Sequence, residues 1–437
     1  MIFSNNKARI LPLLLIVAVW SVVFLFYLTS PYPYLPIHFQ TIVLILLSII
    51  SFIIGYIGFH IFYTKEINIM KPADVNQVDS RILFYEKTLS KIVVYLSLIA
   101  FVGLLYKLLI LSSYAGGVWE YLSNPIRARY IVSSNVNKIG SQYLFKETVV
   151  SYITNVNYIG LLFGGILFSV GGKYRKVSYL PLFISTLWSL ITFQRWVLLM
   201  SIIYYLFSAL YISYYLPLEF NKKVLKRIIR IAWIVLVIFL LFTFILISVR
   251  QDIEESGGLS SGKNVFVEYV LRSIHVYIVG NIISLDQFIQ NSDHLYWGGS
   301  IFKVFFKWFA RAGLYDVNQV IRTNYEFTWV GFETVNTYTY LRIFYEDFGQ
   351  IGMILMSFLW GIIYYGVIHI FLKQFSMYRL FFVVVFIHAV LMSFYSFALT
   401  NYIFYVYSCL ILFLINRIYP NIFFQFDQTE IQPSVSN

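Results

Sequence analysis

The chain has 437 residues, of which 59% are hydrophobic, 20% aromatic and 12% charged. A mean hydropathy of +0.75 lies outside the range of water-soluble domains and inside that of polytopic membrane proteins. The formal charge of +12 is carried between apolar runs and not along one polar face, so it does not support a nucleic-acid footprint and no nucleic acid is expected as a partner.

A helix needs about 20 residues to cross roughly 30 Å of hydrocarbon. Ten apolar runs meet or approach that length, near 10–28, 40–63, 91–112, 148–170, 178–193, 196–216, 228–249, 350–372, 380–398 and 402–418. They are continuously apolar where barrel strands would alternate, and a helix satisfies its own backbone in lipid. The expected fold is therefore an all-α polytopic membrane protein with about ten transmembrane helices and one long outer loop carrying short helices. The fifth and last runs are short, which suits tilted pairs or shallow hairpins.

In chain order, the first run follows Lys7 and Arg9 and is expected to be a retained anchor, because further runs follow and no small-residue cleavage site is evident. Residues 64–90 read as a mixed-charge linker and 113–147 as a first outer loop with Gly116-Gly117, Arg127 and Arg129. Residues 250–349 read as a second outer loop and 419–437 as a polar tail. Lys173, Arg175 and Lys176, then Lys222, Lys223, Lys226, Arg227 and Arg230, fall on the same side as Lys7 and Arg9. Placing that side in the cytoplasm gives 18 Lys+Arg against 7 Asp+Glu inside and 13 against 13 outside, with Lys107 inside a span. Both termini, the linker and the tail are then cytoplasmic. The single cysteine, Cys409, lies in the last run and leaves no internal disulfide or redox pair.

The polar residues that interrupt this pattern are the functional candidates. Gln194-Arg195 occupies a very short outer connection, where a guanidinium opposes the charge rule; it either snorkels to lipid phosphate or binds an anionic headgroup. Arg250 follows the seventh run as a helix anchor or a second anion contact, and Arg342 approaches the eighth. Arginine stays charged and forks onto phosphate oxygens, so these residues suit one multivalent anion. Residues 264–290 read as a helix that places Glu268, Arg272 and His275 on one face. That face serves as an interfacial ion pair or as a base with an orienting cation. Asp347 reads as a base or as a cap on the next helix. Trp297, Trp308 and Trp329 are the outer-loop aromatics suited to stacking on sugars. His38, His60, His294, His369 and His388 have no metal-ligand spacing, and no nucleotide-binding or nucleophile-elbow motif occurs. No metal or cofactor is expected.

The segment from Glu333 to Gly352, ETVNTYTYLRIFYEDFGQIG, brings hydroxyls, carboxylates and Arg342 against the start of a span. With the expected topology and the arginines of the first outer loop, it resembles the Wzy-type repeat-unit polymerases of O-antigens and capsules. The resemblance covers the chain in topology and residues 333–352 in motif. It implies a metal-independent glycosyltransferase in a bacterial cytoplasmic membrane, joining oligosaccharide repeat units carried on undecaprenyl diphosphate at the outer leaflet, with a chain-length regulator as an expected partner. Arg195, Arg250, Arg272 and Arg342 are then candidates for the diphosphate, and His275, Glu333, Asp347 and Glu268 for the general base. A ligase of similar architecture and a flippase are the competing readings.

Overall fold

The computed structural model describes residues 5–63, 75–123, 125–170, 172–192, 194–213, 224–231, 233, 237, 263–292, 295–303, 305–306, 309, 312–314, 328–335, 337–373, 375–395 and 402–419. Its helices are α1 (Asn5–Leu28), α2 (Phe39–Tyr63), α3 (Val75–Ala115), α4 (Val118–Ser123), α5 (Pro125–Val170), α6 (Leu180–Thr192), α7 (Arg195–Ser213), α8 (Lys263–Asn291), α9 (Tyr340–Lys373), α10 (Met377–Leu391) and α11 (Tyr402–Ile418). A two-stranded antiparallel hairpin, β1 (Thr328–Trp329) and β2 (Thr334–Val335), pairs Thr328 with Val335.

The protein is mostly helical, and six described helices are long and apolar enough to cross a membrane: Ala8–Leu28, Phe39–Ile61, Glu86–Tyr114, Lys146–Val170, Trp196–Ser213 and Tyr340–Lys373. Met377–Leu391 and Ile403–Ile418 are shorter apolar helices. The expected fifth span is the 13-residue helix α6, about 20 Å long at 1.5 Å per residue and too short to cross alone. Most of the expected seventh span, 228–249, lies outside the described residues.

Two helices run well past their expected limits. α3 begins at Val75, inside the expected linker, because Glu, Gln, Lys, Arg and Leu there favour helix and no Pro or Gly lies between Val75 and Ser90. α5 begins at Pro125, inside the expected first outer loop, where proline at the first helical position costs no hydrogen bond.

The contacts of the described helices define two ends. At one end, the Tyr211 hydroxyl donates to Ala8 O at 3.4 Å, His60 Nδ1 lies 2.8 Å from the Tyr365 hydroxyl, and Glu86 accepts the Tyr174 N–H at 2.7 Å. The other end gathers the loop 29–38, the α6–α7 connection, α8, the hairpin and the start of α9.

α2 and α9 pack side by side in the same direction although some 300 residues separate them. Small residues allow that approach. A Cβ built on Gly55 would lie 2.2 Å from Phe358 O, and one on Gly361 would lie 2.1 Å from Phe52 O. Gly361→Val is therefore expected to lower the thermal midpoint of the detergent-solubilised protein, equivalent to about 1–3 kcal/mol of overpacking. Gly366→Ala, with nothing within 4 Å of the added carbon, is expected to leave it unchanged.

Candidate functional site

α8 determines the shape of the polar end. Val279, Ile282, Ile283 and Leu285 are fully buried, while Leu271 is exposed, the pattern of a helix with one face on the bundle. Its observed bounds lie within one residue of the expected helix 264–290. Along its length it meets the finish of α1 through His275 and Phe26, ring centroids 4.9 Å apart. It then meets Tyr395 through Tyr277 at 6.1 Å, the start of α2 through Asp286, and the start of α9 through Phe288 and Tyr345 at 5.9 Å. The helix thus crosses one end of the bundle.

Arg272 and Glu333 come together there. Arg272 Nε–H donates to Glu333 Oε2 at 3.1 Å, and Nη2–H donates to Phe332 O at 3.0 Å. The guanidinium carbon sits 4.8 Å from the centre of the Phe332 ring. Glu333 closes the hairpin turn, in which Val330 N–H donates to Glu333 O at 2.9 Å. Gly331 in that turn has φ 117°, and a Cβ there would meet Pro33 O at 2.3 Å, so the turn seats directly on the α1–α2 loop. Leu35 N–H donates to Val330 O at 3.0 Å, and Tyr32 stacks on Phe332 at 5.5 Å. The side chains of Arg272 and Glu333 are 38% and 40% exposed, open enough to meet a ligand and to be screened by water.

His275 lies beside this pair, 5.2 Å from Tyr32. Burial lowers its pKa, which favours the neutral imidazole. Burial, then the charge of Glu333, raises the pKa of Tyr34, so its hydroxyl stays protonated.

Arg342 lies elsewhere. It is 5% exposed, bonded to Glu346 Oε1 at 2.9 Å, and its guanidinium carbon is 3.4 Å from the Tyr338 ring centre and 4.1 Å from that of Phe288. Residues 272 and 288 are separated by about 24 Å along α8, so Arg272 and Arg342 do not converge on one diphosphate. Asp347 is fully buried and its two oxygens accept the Ser300 and Ile301 N–H groups, each at 2.8 Å. Ser300 Oγ–H donates to Glu346 at 3.0 Å, and Trp297 N–H to Asp347 O at 3.1 Å. These contacts clip residues 296–301 to the first turns of α9, just before its kink at Gly349, φ 65° and ψ −156°. Asp347 thus anchors a neighbouring segment, a different task from capping its own helix and a poor position for a base, which must reach substrate.

Arg195 is the first residue of α7, in the expected short connection. Trp196 beside it stacks on Tyr395 at 5.3 Å, which leads through Tyr277 to α8. Trp297 and Trp329 are 72% and 54% exposed at this end. Arg250 and Trp308 lie outside the described residues, as do the side chains of Arg195 and Glu268.

A second polar pair was not identified from sequence. His38, 58% exposed, donates its Nδ1–H to Asp286 Oδ2 at 3.0 Å, while Asp286 itself is fully buried. Asp286 Oδ1 also accepts the His38 backbone N–H at 3.1 Å and the Thr41 hydroxyl at 2.6 Å. The legible signal was Asp286 itself, a carboxylate among the apolar residues Ile282, Ile283, Leu285, Phe288 and Ile289. Among the described residues, no group of three or more His, Cys, Asp or Glu side chains is arranged to hold a metal.

Comparison of the chain with family models, curated proteins and solved structures finds no match.

The different burial of the two carboxylates separates their effects on stability. Asp347→Ala leaves two buried N–H groups without their acceptor and is expected to destabilise by about 2 kcal/mol or more. A double-mutant cycle on Arg272 and Glu333 is expected to give a coupling below about 1 kcal/mol. Thermal unfolding of the purified variants checks both.

Proposed function

We propose that the chain polymerises oligosaccharide repeat units carried on undecaprenyl diphosphate, at the outer face of a bacterial cytoplasmic membrane. The observation that carries this reading is the half-exposed Arg272–Glu333 pair on a helix crossing one end of an apolar bundle. An anionic headgroup at the membrane surface meets a guanidinium already oriented by a carboxylate and an aromatic ring. Trp297 and Trp329, exposed at the same end, offer faces for sugars. The resemblance of residues 333–352 to Wzy-type polymerases adds support, and the bundle includes about ten spans in this reading, with both termini in the cytoplasm. A chain-length regulator is the partner that the reading implies.

In the reaction, a hydroxyl of one repeat unit attacks C1 of the sugar attached to another unit's diphosphate. The new C1–O bond forms as the bond from C1 to the diphosphate oxygen breaks, and the diphosphate leaves with that electron pair. The hydroxyl proton passes to a base. Cleavage of a sugar diphosphate supplies the driving force, so no nucleotide is consumed at this step.

A ligase would use the same donor and a different acceptor. A flippase is less well supported, because transport requires charge deep in the bilayer. Among the described residues of the six apolar helices, the buried charges are Glu86, at the start of its span, Arg342, Glu346 and Asp347, in the first turns of theirs, and Lys107.

Deletion of the gene is expected to collapse the cell's glycan ladder to single repeat units on electrophoresis. Wild type should restore the ladder, and Arg272→Ala at matched protein level should restore it only partly. Full-length glycan retained on its lipid carrier would identify a ligase, and repeat units trapped on the cytoplasmic face would identify a flippase.

A further inference from the structure

His38 closes the α1–α2 loop, and its carbonyl accepts the N–H of Ile42 at 3.3 Å, so it stands at the N-cap of α2. A buried carboxylate at this point has an evident structural role. Asp286 Oδ1 satisfies the His38 N–H and the Thr41 hydroxyl at a helix start, where negative charge is favourable. That role does not require an imidazole. The second oxygen, Oδ2, holds Nδ1 of a ring that is 58% exposed. A carboxylate accepting from Nδ1–H places the proton there and leaves the Nε2 lone pair available as an acceptor. The next residue, Phe39, is 80% exposed and begins an apolar span. His38 therefore stands where the apolar surface stops, at the depth reached by the sugars of a lipid-linked glycan.

We propose that His38, oriented by Asp286, is the base that takes the proton of the acceptor hydroxyl, and that Arg272 holds the diphosphate of that same acceptor. The proposal rests on the polymerase reading. Asp286 and Arg272 are 14 residues apart on the continuous helix α8, or about 21 Å. That span is too long for one sugar–phosphate bond, yet it matches a short oligosaccharide lying along the helix. The reducing end of the repeat unit, with its lipid diphosphate, lies at Arg272. The far sugar presents its hydroxyl to His38 Nε2. The proton moves to Nε2 as the hydroxyl oxygen bonds to C1 of the donor, and the donor's diphosphate departs with the bonding electrons.

The test uses the full chain in lipid vesicles and, as substrate, lipid-linked repeat units extracted from the deletion strain, with polymer resolved by electrophoresis. His38→Gly retains a tolerated N-cap and the backbone N–H, and its kcat is expected to fall about 100-fold, with partial recovery on adding imidazole. Asp286→Asn keeps an oxygen for the His38 N–H and Thr41, while its amide N–H donates to Nδ1 and moves the ring proton to Nε2. It is expected to lose activity to a similar degree, with a thermal midpoint lowered only by the loss of one favourable charge at the helix start. Arg272→Ala is expected to raise KM for the repeat unit and leave kcat near wild type. A His38→Gly rate near wild type, a loss that imidazole does not recover, or a fall in kcat with unchanged KM for Arg272→Ala would overturn the proposal and leave the polymerase reading standing. A wild-type chain that forms no polymer overturns the polymerase reading itself.

Discussion

The polar end of this bundle depends on how exposed helix starts are satisfied where water is scarce. The first turn of a helix presents N–H groups without intrahelical partners, and near a bilayer each must find a protein acceptor. Asp286 supplies that acceptor for α2, and the carboxylate comes from α8, nearly 250 residues further along the chain. The same contact fixes α8 across the bundle. Once α8 is fixed there, Phe288 lies under Arg342, Tyr277 meets Tyr395, and Arg272 reaches the hairpin turn at Glu333.

Two carboxylates near the start of α9 show how burial assigns different roles to the same chemical group. Asp347 spends both oxygens on the backbone of residues 300 and 301 and is sealed from solvent. Its neighbour Glu346 divides itself between Arg342 and Ser300. Both hold the strap 296–301 in place, with Trp297 at φ 47° and Gly298 at φ 93° turning the chain over the helix end. Among the described residues, Arg272, Glu333 and the imidazole of His38 are polar groups that stay open to a ligand.

Much of this architecture is visible in the sequence because its signals are local. Apolar runs locate α1, α2 and α9, and the interrupted periodicity of residues 264–290 locates α8 to within a residue. The tight turn at Gln194-Arg195 follows from two apolar runs with almost nothing between them. The pairings are another matter. Arg272 forms an ion pair with Glu333, 61 positions away, because the hairpin turn folds over α8, a contact that no local spacing announces; the side chain of Glu268, expected beside Arg272, lies outside the described residues. Arg195, Arg250 and Arg342 were expected at one depth on one anion; Arg250 and the side chain of Arg195 lie outside the described residues, while Arg342 is buried against Glu346, Tyr338 and Phe288. His38 was passed over because histidines were weighed by metal-ligand spacing, and the carboxylate that orients its ring is 248 positions distant. Asp286, a lone acid flanked by Ile282, Ile283, Leu285, Phe288 and Ile289, was the available signal, since a charge on the buried face of a helix requires a partner.

The central claim is that α8 lies across the outer end of the bundle, with the basic end facing the opposite side of the membrane. Cys409 is the single cysteine, so Cys409→Ser gives a background for single-cysteine labelling of intact cells with a membrane-impermeant maleimide. Leu271→Cys, on the exposed face of α8, is predicted to label from outside, and Lys173→Cys, exposed at the other end, only after permeabilisation. Labelling of Lys173→Cys in intact cells with Leu271→Cys protected until permeabilisation would contradict the account.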